Sequence, residues 1–151
     1  MKKLNCISMM ALIILLIAAC GPQATETPVF QGENPYAPRP GDEDMQRDQV
    51  IIDSSSMSLA KSMPPQIMLQ FAYFPPTTCH ELRVEVSGPD AQNQINVTAY
   101  SVVKKDQACI LMALVTPLDA SLNLGSFPSG HYSLSLNGAV VGEFDSSDHR
   151  A

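Results

Sequence analysis

The chain has 151 residues, 45% hydrophobic and 16% charged, with 9 Lys and Arg against 15 Asp and Glu for a formal net charge of −6. That length fits one ordinary domain with segments outside it. The acidic balance excludes a nucleic-acid surface, which needs clustered Lys and Arg to neutralise phosphates. After Lys2-Lys3 the sole basic pair is Lys104-Lys105, beside Asp106, and it reads as a solvated turn.

Lys2 and Lys3 precede an apolar stretch over residues 4–19, broken by Asn5 and Ser8, and the small Ala18-Ala19 stand before Cys20. This is the cationic, apolar and small-residue order of a secretory signal. Sixteen residues fall short of the roughly 20 needed to cross about 30 Å of hydrocarbon, so a permanent transmembrane helix is the weaker reading. The run Ile17-Ala18-Ala19-Cys20-Gly21 resembles the lipobox of bacterial lipoproteins. The resemblance implies that residues 1–19 are removed and that Cys20 becomes the first residue and carries acyl chains. Those chains would hold the protein on the extracytoplasmic side of the cell membrane or outer membrane. Processing would leave 7 basic residues (9 less Lys2 and Lys3) against 15 acidic ones, a net charge near −8. Cys6 lies in the discarded segment, so Cys79 and Cys109 are the thiols of the exported domain, and two such thiols suggest one disulfide.

Residues 20–49 contain Pro22, Pro28, Pro35, Pro38 and Pro40, many acidic residues and almost no apolar periodicity. That composition predicts a disordered tether. Its acidic run Asp42-Glu43-Asp44 lacks the glycine, spacing and terminal glutamate of a calcium loop and reads as solvated.

From Val50 to residue 145 the pattern becomes short period-two segments separated by Pro, Gly, Asn and Asp, which is how strands read. Residues 67–74 form one strand, ended by Pro75-Pro76. In residues 81–86 Leu82, Val84 and Val86 take the buried face and Glu81, Arg83 and Glu85 the wet one. Gly88-Pro89-Asp90 turns into a strand where Ile95, Val97 and Ala99 alternate with polar neighbours. Residues 110–115 are continuously apolar and predict a central strand, and Leu118, Ala120, Leu122 and Leu124 alternate again. Asn137-Gly138 lies between two strand-like arms and is the preferred centre of a type I′ hairpin. Strict alternation would point Phe144 away from the core, so a β-bulge near Val141-Gly142 is expected to turn it inward. Residues 146–151 read as a frayed tail.

These segments predict an all-β fold, a small antiparallel β-sandwich of immunoglobulin-like type over residues 50–145. The run from Leu124 through Phe127-Pro128-Ser129-Gly130-His131-Tyr132 to Gly138 resembles the closing hairpin of exported bacterial immunoglobulin-like modules. Such modules serve many roles, so the resemblance implies a fold and no active site.

Chemistry is harder to find. There is no Gly-x-Ser-x-Gly elbow. Gly125 and Gly130 have the opening spacing of a phosphate loop, but Lys-Ser/Thr does not follow. Cys79, His80, Cys109 and His131 match no zinc spacing, and a Cys79-Cys109 disulfide is the better reading. Glu81, Glu85, Asp119 and Glu143 are expected on solvated faces, and Met57, Met63 and Met68 in ordinary packing. No catalytic residue, metal or cofactor is assigned. The expected function is a non-enzymatic, lipid-anchored module that binds a protein or envelope component or serves an envelope structure. An alternative is an exported protease inhibitor, whose binding loop would be Pro75, Pro76, Thr77, Thr78 and His80, pinned by the disulfide. A small hydrolase or metal carrier is the least favoured reading.

Overall fold

The computed structural model describes residues 32–110 and 116–147. The signal segment, Cys20, most of the predicted strand over residues 110–115 and the end of the tail lie outside the described residues. Ile110 itself is in no strand and is 78% exposed.

The described residues form eight strands: β1 (Gln46–Gln49), β2 (Ile51–Ala60), β3 (Gln66–Phe74), β4 (Glu81–Ser87), β5 (Gln94–Val103), β6 (Leu118–Gly125), β7 (Gly130–Leu136) and β8 (Ala139–Ser146). β2, β3 and β6 form a three-stranded antiparallel sheet with β3 at its centre. In the five-stranded sheet β5 is the hub. Residues 96–102 of β5 pair with β4, so β1, on residues 100–103, and β7, on residues 94–97, must share the opposite edge. β8 then pairs with β7. The β5–β7 pair is parallel, which the all-antiparallel expectation did not include.

The inward faces of the two sheets make one core. Leu69 on β3 stands opposite Met57 on β2 and Leu122 on β6, and Val84, Ile95 and Leu134 meet it from the facing sheet, all but Met57 fully buried. The protein is therefore an all-β sandwich, as the alternation predicts. The turn at Asn137 (φ 49°) and Gly138 (φ 83°) has the two positive φ values of type I′. Leu134 pairs with Gly142 and Ser135 with Val140, which leaves Val141 as the extra residue of a bulge. The half-turn this adds brings Phe144 opposite Tyr132, buried and stacked on it at 5.3 Å, as expected. Tyr132 donates its hydroxyl to the Pro128 carbonyl at 3.1 Å and fixes the preceding turn.

The disordered tether expected over residues 20–49 does not hold from Glu33 onward. From Glu33 the chain is built into the sandwich as a strap. Asn123 N–H donates to the Glu33 carbonyl on the outer edge of β6, and on the edge of β4 Val84 donates to the Tyr36 carbonyl while accepting from the Asn34 amide. A 3₁₀ turn (Asp42–Asp44) follows, and Gln46–Gln49, also assigned to the tether, is β1. Prolines do not prevent this, because the strap takes its hydrogen bonds from strand edges rather than from a ladder of its own. A second correction follows from the first. Arg83, expected on the wet face, is 2% exposed because the strap crosses over it, and the nominally solvated Asp42 is its partner.

Candidate functional site

Three arrangements of polar side chains stand out, and each joins segments far apart in sequence.

The first is the clasp under the strap. Arg83 presents a planar fork to Asp42, with Nε donating to Oδ2 at 2.7 Å and Nη2 to Oδ1 at 3.1 Å, while Nη1 donates to the Leu82 carbonyl at 2.9 Å and Nη2 also reaches Glu81 at 3.0 Å. Bidentate charge-assisted bonds of this kind are short and directional. They hold the Asp42 carboxyl below its usual value, the Arg83 side chain being the main cause and the Arg39 backbone N–H the next. The clasp is a structural tie and offers no free group for chemistry.

The second is the loop singled out as a binding segment. Cys79 and Cys109 form the expected disulfide, with Cα atoms 5.8 Å apart, at the end of the sandwich rather than across its middle. Thr77 Oγ1 lies 2.7 Å from His80 Nδ1, and His80 Nε2 lies 2.9 Å from Asp48 Oδ2 on β1. A carboxylate, an imidazole and a hydroxyl in line resemble a nucleophilic relay in outline, yet Thr77 Oγ1 also accepts the Cys79 N–H within the same turn, and the His80 side chain is only 5% exposed. The line latches the loop to β1. Pro75 is buried and His80 faces inward, so Pro76 and Thr78 are the members of the predicted loop left exposed to a partner. His131 is not near this group; it pairs with Asp145 and Glu143 across β7 and β8. With both cysteine sulfurs in the disulfide, the four-residue zinc set does not form. Among the described residues no group of three or more His, Cys, Asp and Glu is placed to hold a metal ion.

The third is a cleft of about 890 Å³ where the chain passes from β1 in one sheet to β2 in the other, lined by Arg47, Gln49, Asp53, Tyr100, Asn137 and Ala139 among others. Arg47 lies 3.4 Å over the Tyr100 ring and pairs with Glu85 at 3.2 Å, and Tyr100 donates its hydroxyl to Glu85 at 2.7 Å. Burial, reinforced by Glu85, pushes the Tyr100 phenol up to about 12, so it stays a donor. At the cleft floor β1 has ended and β7 has not yet met β5. Asn137 fills the gap: its Oδ1 accepts from Ala99 N–H at 2.7 Å and its Nδ2 donates to the Ala99 carbonyl at 3.0 Å. One side-chain amide thus stands in for a missing rung of the ladder. Asn137→Asp keeps the turn preference but sets a carboxylate oxygen against that carbonyl. It is expected to cost about 1–2 kcal/mol, read as a lower urea midpoint with an unchanged slope.

Arg47, Asp48 and Asp42 were hidden from sequence reasoning inside the supposed tether. Asn137 was visible only as a turn residue, because nothing local signals that its side chain bonds a strand 38 residues away.

Residues 72–146 match the family model described as the ORF11 beta-sandwich domain. The matched stretch runs from the second half of β3 through β8 and leaves out the strap, β1 and β2. No curated protein and no solved structure matches the chain.

Proposed function

We propose that the protein is a lipid-anchored extracytoplasmic module, non-enzymatic, which binds a protein or envelope component or serves an envelope structure. The observation that carries this reading is the short distance between two ends: Cys20 closes the apolar run, and only residues 21–32 separate it from the strap at Glu33. Twelve residues reach about 20 Å as a coil and about 37 Å as extended polyproline II, so an anchored sandwich would stay close to the headgroups. The strap supports the same reading mechanically, since tension from the anchor would fall first on the Glu33 bond to β6 and the Asn34 and Tyr36 bonds to β4, with the Arg83–Asp42 clasp behind them, rather than on a loop.

The test is labelling with a palmitate analogue in a lipoprotein-processing cell. The wild type is expected in the membrane fraction with label, and Cys20→Ala unlabelled and released, with the Cys79–Cys109 disulfide and β spectrum unchanged. Label on the Cys20→Ala variant would refute the anchor. The inhibitor reading draws its support from the stiffness of the loop that exposes Pro76 and Thr78; failure of the purified protein to inhibit any member of a protease panel would remove it.

A further inference from the structure

The strap joins the sandwich at one particular end. The Glu33 carbonyl accepts from Asn123 near the close of β6, and the Asn123 side-chain amide donates to Gln66 Oε1 at 2.7 Å at the start of β3. Just beyond Gln66 projects the turn from β2 to β3, residues 61–65. It presents Met63, 84% exposed and the most exposed of the large hydrophobic side chains described. Leu59 lies four residues earlier; its strand partner Ile67 is in the core, yet Leu59 reaches the rim and stays 54% exposed. Between Asp53 and Glu81 the chain has no acidic residue, and Lys61 is its only cation apart from His80. The turn also satisfies much of its own polar backbone. Ser62 N–H donates to the Ala60 carbonyl at 2.9 Å and Ser62 Oγ to the Pro64 carbonyl at 2.8 Å, while Pro64 and Pro65 carry no N–H. Fewer donors are then left to desolvate at an apolar surface.

The two ends of the sandwich differ in charge. The other loops at this end, residues 88–93 and 126–129, carry one charge between them, Asp90, whose carboxylate turns back onto the Gln92 and Gln94 N–H groups. Asp145, at the end of β8, is paired with His131 at 2.8 Å. The opposite end, with the disulfide, exposes Glu43, Asp44, Asp53, Glu81, Lys104 and Asp106.

We infer that the β2–β3 turn is a membrane-contact site: Met63 and Leu59 enter the apolar side of the headgroup layer that holds Cys20, and the Lys61 ammonium stays among the lipid phosphates. The inference rests on the lipid-anchor reading and adds to it which end of the sandwich faces the bilayer. The occupant follows from where the chain leaves the sandwich. Residues 21–32 separate Cys20 from Glu33 and reach about 20 Å as a coil, so an anchored chain holds this end, and this turn, against lipid. An apolar tip with one lysine suits such a surface, because the stem can lie in the apolar layer while the charge remains at the headgroups. Two copies meeting turn to turn would instead set Lys61 against Lys61. β3, of 9 residues, spans about 30 Å, so Pro76 and Thr78 at its far end face away from the bilayer.

The chain contains no tryptophan, so Met63→Trp places a single indole at the turn and Thr78→Trp a single one at the opposite end. Both positions are exposed, so neither substitution disturbs the core. Each variant, acylated in a lipoprotein-processing cell, is reconstituted in vesicles of phosphatidylethanolamine and phosphatidylglycerol, with and without bromine on the acyl chains. Flotation with the vesicles reports the anchor, and indole emission reports the turn. Met63→Trp is expected to be blue-shifted and quenched by the brominated chains, and Thr78→Trp neither. Flotation with Met63→Trp unshifted and unquenched would overturn the inference and leave the anchor standing. A blue shift without quenching would mean that protein rather than lipid covers the turn, and equal quenching of Thr78→Trp would mean that no one end faces the bilayer; either would overturn it as well. Failure of both variants to float would remove the anchor and the inference together.

Discussion

Asp42→Ala is expected to lower the free energy of unfolding by about 3 kcal/mol and to free the strap. Arg83 is buried, and its guanidinium cannot lose its proton; without Asp42 it keeps the Leu82 carbonyl and the exposed Glu81 but has no bidentate partner. Breaking a buried pair by removing one member typically costs about 3–5 kcal/mol, and Glu81 keeps the expected value at the low end. The loss should appear as a lower urea midpoint and as new proteolytic cleavage between Glu33 and Met45. Replacing both members, with Asp42→Leu and Arg83→Met, should recover most of it, because the penalty lies in the orphaned charge rather than in the pair. An equal loss in the double variant would mean that the clasp itself supplies the stability.

The same carboxyl sets an acid dependence. Its folded value is held below the ordinary 3.8 by the Arg83 bond, so its contribution is complete above about pH 4 and disappears as pH falls through the lowered value. Asp42→Asn should therefore flatten stability against pH in the acid range and leave the neutral range parallel to the wild type.

Removal of both cysteines, Cys79→Ser with Cys109→Ser, is expected to cost about 3–4 kcal/mol. The crosslink closes a loop of 30 residues, and in the chain-entropy model that restriction of the unfolded ensemble is worth this much. In a domain of about a hundred residues it is a large share of net stability. Urea unfolding of the wild type with and without reductant should reproduce the difference. Because Asp48, His80 and Thr77 also hold the loop, the reduced protein is expected to keep the native β spectrum at low urea. Complete unfolding on reduction would show that the latch contributes nothing.

The strands were legible where one face is apolar and the other polar. Leu82, Val84, Ile95, Val97, Leu122 and Leu134 are all buried as their alternation requires. The bulge at Val141 was legible too, because Phe144 falls out of phase with the Asn137-Gly138 turn. The strap was not, since residues 33–45 have no period of their own and are ordered by the edges they cover. Arg83 followed it: its place in the alternation is outward, and only the covering segment makes outward mean buried.

The sequence by itself determined the elements whose signal is local: the apolar run ending at Cys20, the strand periodicity, the hairpin turn and the single pair of cysteines beyond Cys20. The tertiary structure alone decided which edges are closed, which charges are buried and which polar groups meet, as in Asp42 with Arg83, Asp48 with His80, and Asn137 with Ala99. The physical reason is range. Periodicity and turn preference act over a few residues, whereas the value of a buried charge or a free strand edge depends on what distant chain lies against it.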